Sequence, residues 1–88
     1  MPRISVFYGI AIYMYWNESH HARPHFHARY GEHEAQVSIA DGGFTHGRLP
    51  RRAHALVQEW VELCRAELEA DWKRARDGRP LATIDALP

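Results

Sequence analysis

Apolar and polar residues alternate through the first half of the chain, and the rhythm changes to steps of three and four in the second. From Ile4 to Trp16 the residues are rich in aromatic and β-branched types, and Ile10, Ile12, Met14 and Trp16 share one parity, which predicts a strand with a bulge or bend at Gly9. Between Pro24 and Tyr30, Phe26, Ala28 and Tyr30 fall on one face and His25, His27 and Arg29 on the other. Gly31-Glu32-His33 reads as a short hairpin turn. A third run then alternates Ala35, Val37 and Ile39 with Glu34, Gln36 and Ser38, until Asp41-Gly42-Gly43 closes it; Phe44 to Arg48 offers a short edge strand.

Leu49-Pro50-Arg51-Arg52 opens a different element. Proline suits a first helical turn, and from there to Arg76 neither Gly nor Pro occurs, while Ala53, Leu56, Val57, Trp60, Leu63, Cys64, Leu68, Trp72 and Ala75 recur at helical spacing. Asp77-Gly78 is the stop. About 25 helical residues would extend roughly 38 Å, against roughly 20 Å for the strands beneath, so the second half is expected to overhang, kink or meet another chain. The expected architecture is α+β: a three- to four-stranded antiparallel meander with one face covered by a long C-terminal helix. Residues 1–78 form that single domain, and 79–88, which lack periodicity, an extended tail. No repeat or linker divides the chain.

A chain of 88 residues buries only about 60–65% of the surface exposed on unfolding, so the core must be thin, and Trp16, Trp60 and Trp72 offer large apolar area that makes folding without disulfides feasible. Cys64 is the single cysteine, which rules out an internal disulfide and a cysteine-based zinc knuckle and fits a reducing compartment. The opening Met1-Pro2-Arg3-Ile4 does not read as a signal peptide, and no run approaches the roughly 20 apolar residues of a membrane span. The expectation is a cytoplasmic protein without a membrane association. Eleven basic residues balance eleven acidic ones, so nucleic-acid binding would need a local patch. The balance is uneven along the chain: residues 1–54 hold six arginines and all seven histidines against four acids, and 55–88 hold seven acids against five bases.

Five of the seven histidines lie within Ser19–His33. By parity, the open sheet face carries Tyr13, Tyr15, His25, His27, Arg29, Gln36 and Ser38, and histidines two apart on a strand point to one side. Three chemistries use that arrangement. His25 and His27, with Glu32 or with His20, His21 or His33, can hold a divalent metal; the spacing through Glu32 resembles the metal motif of cupins but lacks that motif's flanking glycines. A histidine-triad phosphate chemistry would need a third histidine where Arg29 stands. Metal-free acid–base catalysis on phosphodiesters, as in small RNases, could use His25, His27, Arg29, Tyr13 and Tyr15. The plain alternative makes the imidazoles backbone partners or dimer-interface residues. His46 and His54 read as incidental, Arg48, Arg51 and Arg52 as a solvated helix entrance, and Glu59, Glu62, Glu67, Glu69 and Asp71 as the helix's wet side.

The opening Pro2-Arg3-Ile4-Ser5-Val6-Phe7-Tyr8-Gly9-Ile10, the block Pro24-His25-Phe26-His27-Ala28-Arg29-Tyr30-Gly31-Glu32, Leu49-Pro50-Arg51-Arg52-Ala53, Leu56-Val57-Gln58-Glu59-Trp60, and Trp72 with Arg76-Asp77-Gly78-Arg79-Pro80-Leu81 together resemble one family. It is the bacterial domain of unknown function numbered four-one-six-zero, and the likeness runs over nearly the whole chain. The family pattern includes His25, His27, Tyr30-Gly31, Glu32 or Glu34, and Trp60, whereas His20 and His21 stand where the family more often has turn residues. The resemblance brings no established activity. It implies a single small domain, often encoded beside another small uncharacterised domain, an arrangement like a toxin–antitoxin or regulator pair.

The sequence thus supports an intracellular, non-enzymatic binding and regulatory module. Its open face would take a protein partner, with nucleic acid as a further possibility, and its long helix would make a homodimer. The competing expectation is a small histidine-dependent enzyme, RNase-like or a metal-dependent hydrolase, with His25 and His27 in its site. No cofactor is required by the first reading; a divalent metal belongs to the second.

Overall fold

The computed structural model describes residues 3–16 and 23–88. Strands β1 (Arg3–Phe7), β2 (Ile10–Tyr13), β3 (His25–Tyr30), β4 (His33–Ser38) and β5 (Phe44–Gly47) precede helix α1 (Arg51–Arg76). They form one five-stranded sheet in the order β1-β2-β3-β4-β5, every neighbouring pair antiparallel. The α+β meander with one long helix is therefore present, but with five strands rather than three to four. The first apolar run is two strands, not one. Phe7 pairs with Ile10 across Tyr8 and Gly9, and both intervening residues have positive φ, 50° and 78°, as a type I′ two-residue hairpin requires. Phe44–Gly47 completes the count by pairing along β4.

Strand alternation turns Ile10, Ile12, Met14, Phe26, Ala28 and Val37 inward, where α1 covers them. Trp60 lies at the centre, fully buried, with its ring 5.1 Å from Phe7 and 5.7 Å from Phe26. Such rings supply large apolar area to a core this thin. On the helix's flank, the Gln58 amide donates to the Gly42 carbonyl (3.2 Å) and Arg65 Nε to that of Ile39 (3.0 Å), pinning the β4–β5 loop.

The helix runs for 26 residues, about 39 Å of ideal rise, yet the longest dimension of the molecule is 33 Å. It kinks. Cys64 has non-helical torsions (φ −118°, ψ 17°), and the second half thereby brings Trp72 against His25 at the start of β3, ring centroids 5.1 Å apart. Residues 79–88 have no helix or strand, but they are fastened to the domain: Ala82 N–H donates to Asp71 Oδ1 (2.9 Å), Ile84 N–H to the Ile4 carbonyl (2.8 Å), and the Trp60 indole to the Asp85 carbonyl (2.8 Å). Ile84 and Leu87 are buried in the same core.

Candidate functional face of the sheet

The face of the sheet away from α1 is built by three hairpins. Register places Tyr13 opposite His27, Arg29 opposite Glu34, His27 opposite Gln36, and Gln36 opposite His46, so side chains from β2, β3, β4 and β5 meet in one band. Cross-strand neighbours on one face lie about 4.5–5.5 Å apart, which is close enough for these rings and charges to interact. Tyr13 and Tyr15 stack at 6.4 Å and 7°, and Tyr15 meets the His27 ring edge-on at 4.9 Å. His27 in turn meets His25 at 5.3 Å and 73°.

The two histidines of the pair have different surroundings. His25 does not belong to the wet surface that parity assigns it: Trp72 covers it, leaving the residue 5% exposed. Its Nδ1 lies 2.8 Å from the Arg23 carbonyl, which can only accept, so Nδ1 carries the proton and the ring's second nitrogen is the basic one when His25 is neutral. His27 is half-buried. Its Nδ1 is 3.9 Å from Glu34 Oε2, and Arg29 Nε is 3.7 Å from Glu34 Oε1. Both separations exceed hydrogen-bond range, and with Arg29 and Glu34 each more than half exposed these pairs are worth about 0–1 kcal/mol. They set a charge pattern rather than hold the fold.

Beside His27 the surface dips into an open hollow of about 210 Å³ lined by His27, Glu34, Gln36, His46 and Gly47. Gly47 is required there. Its φ is +70°, and a Cβ at this position would sit 2.2 Å from the Glu34 carbonyl oxygen, so only glycine lets β5 approach β4.

The structure thus brings together Tyr13, Tyr15, His25, His27 and Arg29, with Gln36 and Ser38 on the same face of β4. Glu32 lies elsewhere, in the β3–β4 turn beyond the Tyr30–His33 pair, at the other end of the ladder from His25–Ser38. The carboxylate beside His27 is that of Glu34. His33 is exposed at the start of β4, and His20 and His21 lie outside the described residues. Among the described residues, no three His, Cys, Asp or Glu side chains are grouped so as to hold a metal ion. His46 escapes a parity argument, because its strand lacks apolar alternation and only the β4–β5 register brings it to this face. Glu34 shares the parity of Gln36 and Ser38, but only the β3–β4 register sets it beside Arg29 and His27. His54, by contrast, stacks on Phe44 at 3.8 Å and 10°, as a packing residue.

Elsewhere, Arg65 makes two 3.1 Å hydrogen bonds to Glu62, and that guanidinium holds the Glu62 carboxyl below its usual range. No helix among the described residues is long and apolar enough to cross a membrane. No curated protein and no solved structure is detectably similar to the chain. A family model does match, over residues 9–73 of the 88, from the β1–β2 turn to the residue after Trp72, and takes in the histidine pair, Glu34 and α1 as far as Lys73; the chain belongs to the family described as a domain of unknown function (DUF4160).

Proposed function

We propose that the chain is a non-enzymatic binding and regulatory module, one half of a bacterial cytoplasmic regulator pair of toxin–antitoxin kind, and that the uncovered sheet face takes its protein partner. The observation that carries this reading is the band formed by Tyr13, Tyr15 and His27, half-buried and in mutual ring contact, with the charged Arg29 and Glu34 at its border. Pre-packed aromatic rings inside a charged rim resemble the anatomy of protein interfaces, where aromatic residues concentrate and order little further on binding. The hollow beside it is open and shallow, which suits a protruding side chain of a partner. Leu63, 63% exposed on the outer side of α1, is the apolar group through which a second copy would associate; light scattering that finds only monomer at high concentration removes the dimer.

The test is co-expression with the product of the adjacent gene. Co-purification is expected, with at least tenfold weaker binding for Tyr15→Ala and Arg29→Glu at unchanged melting temperature. Equal binding by these variants, or no complex, refutes the reading.

One observation favours a second reading, a small histidine-dependent enzyme. Two imidazoles with ring centroids 5.3 Å apart, beside a carboxylate and a guanidinium, could divide proton donation and acceptance between them. If a divalent metal were used, His25 and His27 would need ligands from outside the described residues or from a partner. Elemental analysis and RNA cleavage by untagged protein, wild type against His27→Ala, decide the matter. Turnover abolished by that substitution replaces the binding module with the enzyme.

A further inference from the structure

At the other end of β3 from His25, the β1–β2 turn, Tyr30 and the start of α1 enclose a cavity of about 180 Å³, lined by Tyr8, Ile10, Tyr30, Arg52, Ala53 and Leu56. Its walls are apolar and aromatic, yet both tyrosines remain open to solvent, Tyr8 54% and Tyr30 38% exposed. Their positions are fixed by the fold. Tyr8 donates its hydroxyl hydrogen to the Pro88 carbonyl (2.9 Å), and the Tyr30 ring lies over Gly9, 3.4 Å from where a Cβ would be. Exposed aromatic rings held in place can receive a planar partner with little loss of their own freedom.

Arg52 lines this cavity, and Arg51 and Arg48 lie one and four positions before it in the chain, at the entrance to α1. Arg48, Arg51 and Arg52 are all exposed, and among the described residues none pairs with a carboxylate, in a chain whose formal net charge is zero. Elsewhere Arg29, Arg65 and Arg74 each have an acidic neighbour. Three unneutralised guanidiniums within five residues beside an aromatic cavity combine the two elements that bind single strands: cations for the backbone and a π-face for a base.

We infer that this end of the domain is a binding site for single-stranded nucleic acid, with one unpaired base received between Tyr8, Tyr30 and α1 and the neighbouring phosphates held by Arg48, Arg51 and Arg52. Three separate guanidiniums suit successive phosphates of a strand better than the phosphate of a lone nucleotide. A duplex keeps its bases stacked and could not fill the cavity. This site uses none of the residues assigned to the protein partner above, so either reading can fail without the other.

The experiment is fluorescence anisotropy of the full chain with a labelled single-stranded RNA, the DNA of the same sequence, the corresponding DNA duplex, and a single strand with abasic positions. Single strands are expected to bind, and three phosphate contacts give a salt slope of about −2, so that binding weakens about 15- to 20-fold between about 50 and 200 mM salt. Each of Arg48→Ala, Arg51→Ala and Arg52→Ala should reduce the magnitude of that slope by about 0.7. Tyr30→Ala should weaken binding about tenfold, Tyr30→Phe should restore it, and the abasic strand should bind wild type no better than the intact strand binds Tyr30→Ala. Thermal melting establishes that each variant is folded. The inference is overturned if the single strands do not bind, if duplex binds as well as single strand, or if folded arginine or Tyr30→Ala variants bind like wild type.

Discussion

Replacing Arg74 with alanine should cost the fold more than replacing Asp71, the residue it is bonded to. Asp71 is completely buried on α1, and its Oδ1 accepts from Arg74 at 2.7 Å and from Ala82 N–H at 2.9 Å, joining the helix to the returning tail. Its other oxygen is buried without a hydrogen-bond partner among the described residues. Asp71→Ala removes two charge-assisted hydrogen bonds of about 1.5–3 kcal/mol each, but it also relieves a carboxylate desolvation of several kcal/mol and gains about 0.6 kcal/mol of helix propensity. The arginine left behind is 34% exposed and can turn to water. The net loss is about 1 kcal/mol. Arg74→Ala leaves the carboxylate in place with only the Ala82 bond, and stranding a buried charge costs about 3–5 kcal/mol, here nearer 3 because that bond remains.

The two urea midpoints should therefore differ by about 1 to 2 M, at a denaturant slope of about 1–1.5 kcal/mol/M for so small a chain. Unfolding can be followed by the fluorescence of Trp60 and Trp72. In a double-mutant cycle, Asp71→Ala with Arg74→Ala should come close to Asp71→Ala alone. If Arg74→Ala proves no worse than Asp71→Ala, the stranded-charge argument is wrong and the pair is only a surface contact.

Three further outcomes follow from the same packing. Gly47→Ala puts a methyl group against the Glu34 carbonyl at a left-handed φ, a combined penalty of about 2–5 kcal/mol; a melting temperature lowered by less than about 10 °C would contradict it. His25→Ala, which removes a buried ring from Trp72 and a hydrogen bond to Arg23, should destabilise by about 2 kcal/mol in urea, whereas half-buried His27→Ala should stay within about 1, and the reverse order would show that Trp72 does not depend on His25. Burial, and after it the negative charges of Glu67 and Asp85, push the Cys64 thiol up. The folded thiol then holds its proton more tightly than the unfolded one, so its contribution to stability is complete below the unfolded value of about 8.5 and declines as pH rises above it. Cys64→Ala should flatten that decline, and alkylation of native protein at about pH 8 should be far slower than in urea; rapid native alkylation would show an open thiol.

The helix was legible because its signals are local: an apolar stripe at steps of three and four, proline at its start and Asp77-Gly78 at its end; within it, Leu63 of the expected stripe is instead exposed, and Asp71, expected on the wet side, is buried because Arg74 and the returning tail cover it. The split of the first run into β1 and β2 was not. Its turn is Tyr8-Gly9, and tyrosine at a positive φ carries none of the asparagine or aspartate chemistry that marks a two-residue hairpin. β5 was legible only as a short edge strand from Phe44, without apolar alternation to support it, and the tail's two buried residues, Ile84 and Leu87, have no period to announce them. Parity correctly put Tyr13, Tyr15, His27 and Arg29 on one face, because that depends only on the pleat. It failed for His25, whose exposure is decided by Trp72, a residue 47 positions later that arrives only because α1 bends at Cys64. Which residues Glu34 and His46 stand beside needed inter-strand register, which composition does not encode.

Every strand of the sheet pairs with its neighbour in sequence, so the meander can zip from turn to turn with short loop closures, a topology of low contact order that favours fast folding. The tail is different: Ile84 meets Ile4 and Pro88 meets Tyr8 across 80 residues of chain. That closure rewards its entropy only after the sheet and helix exist, so it should form last and be the first part of the native structure to open. Amide exchange should report it, with the Ile84 N–H exchanging well ahead of the amides in the β3–β4 ladder.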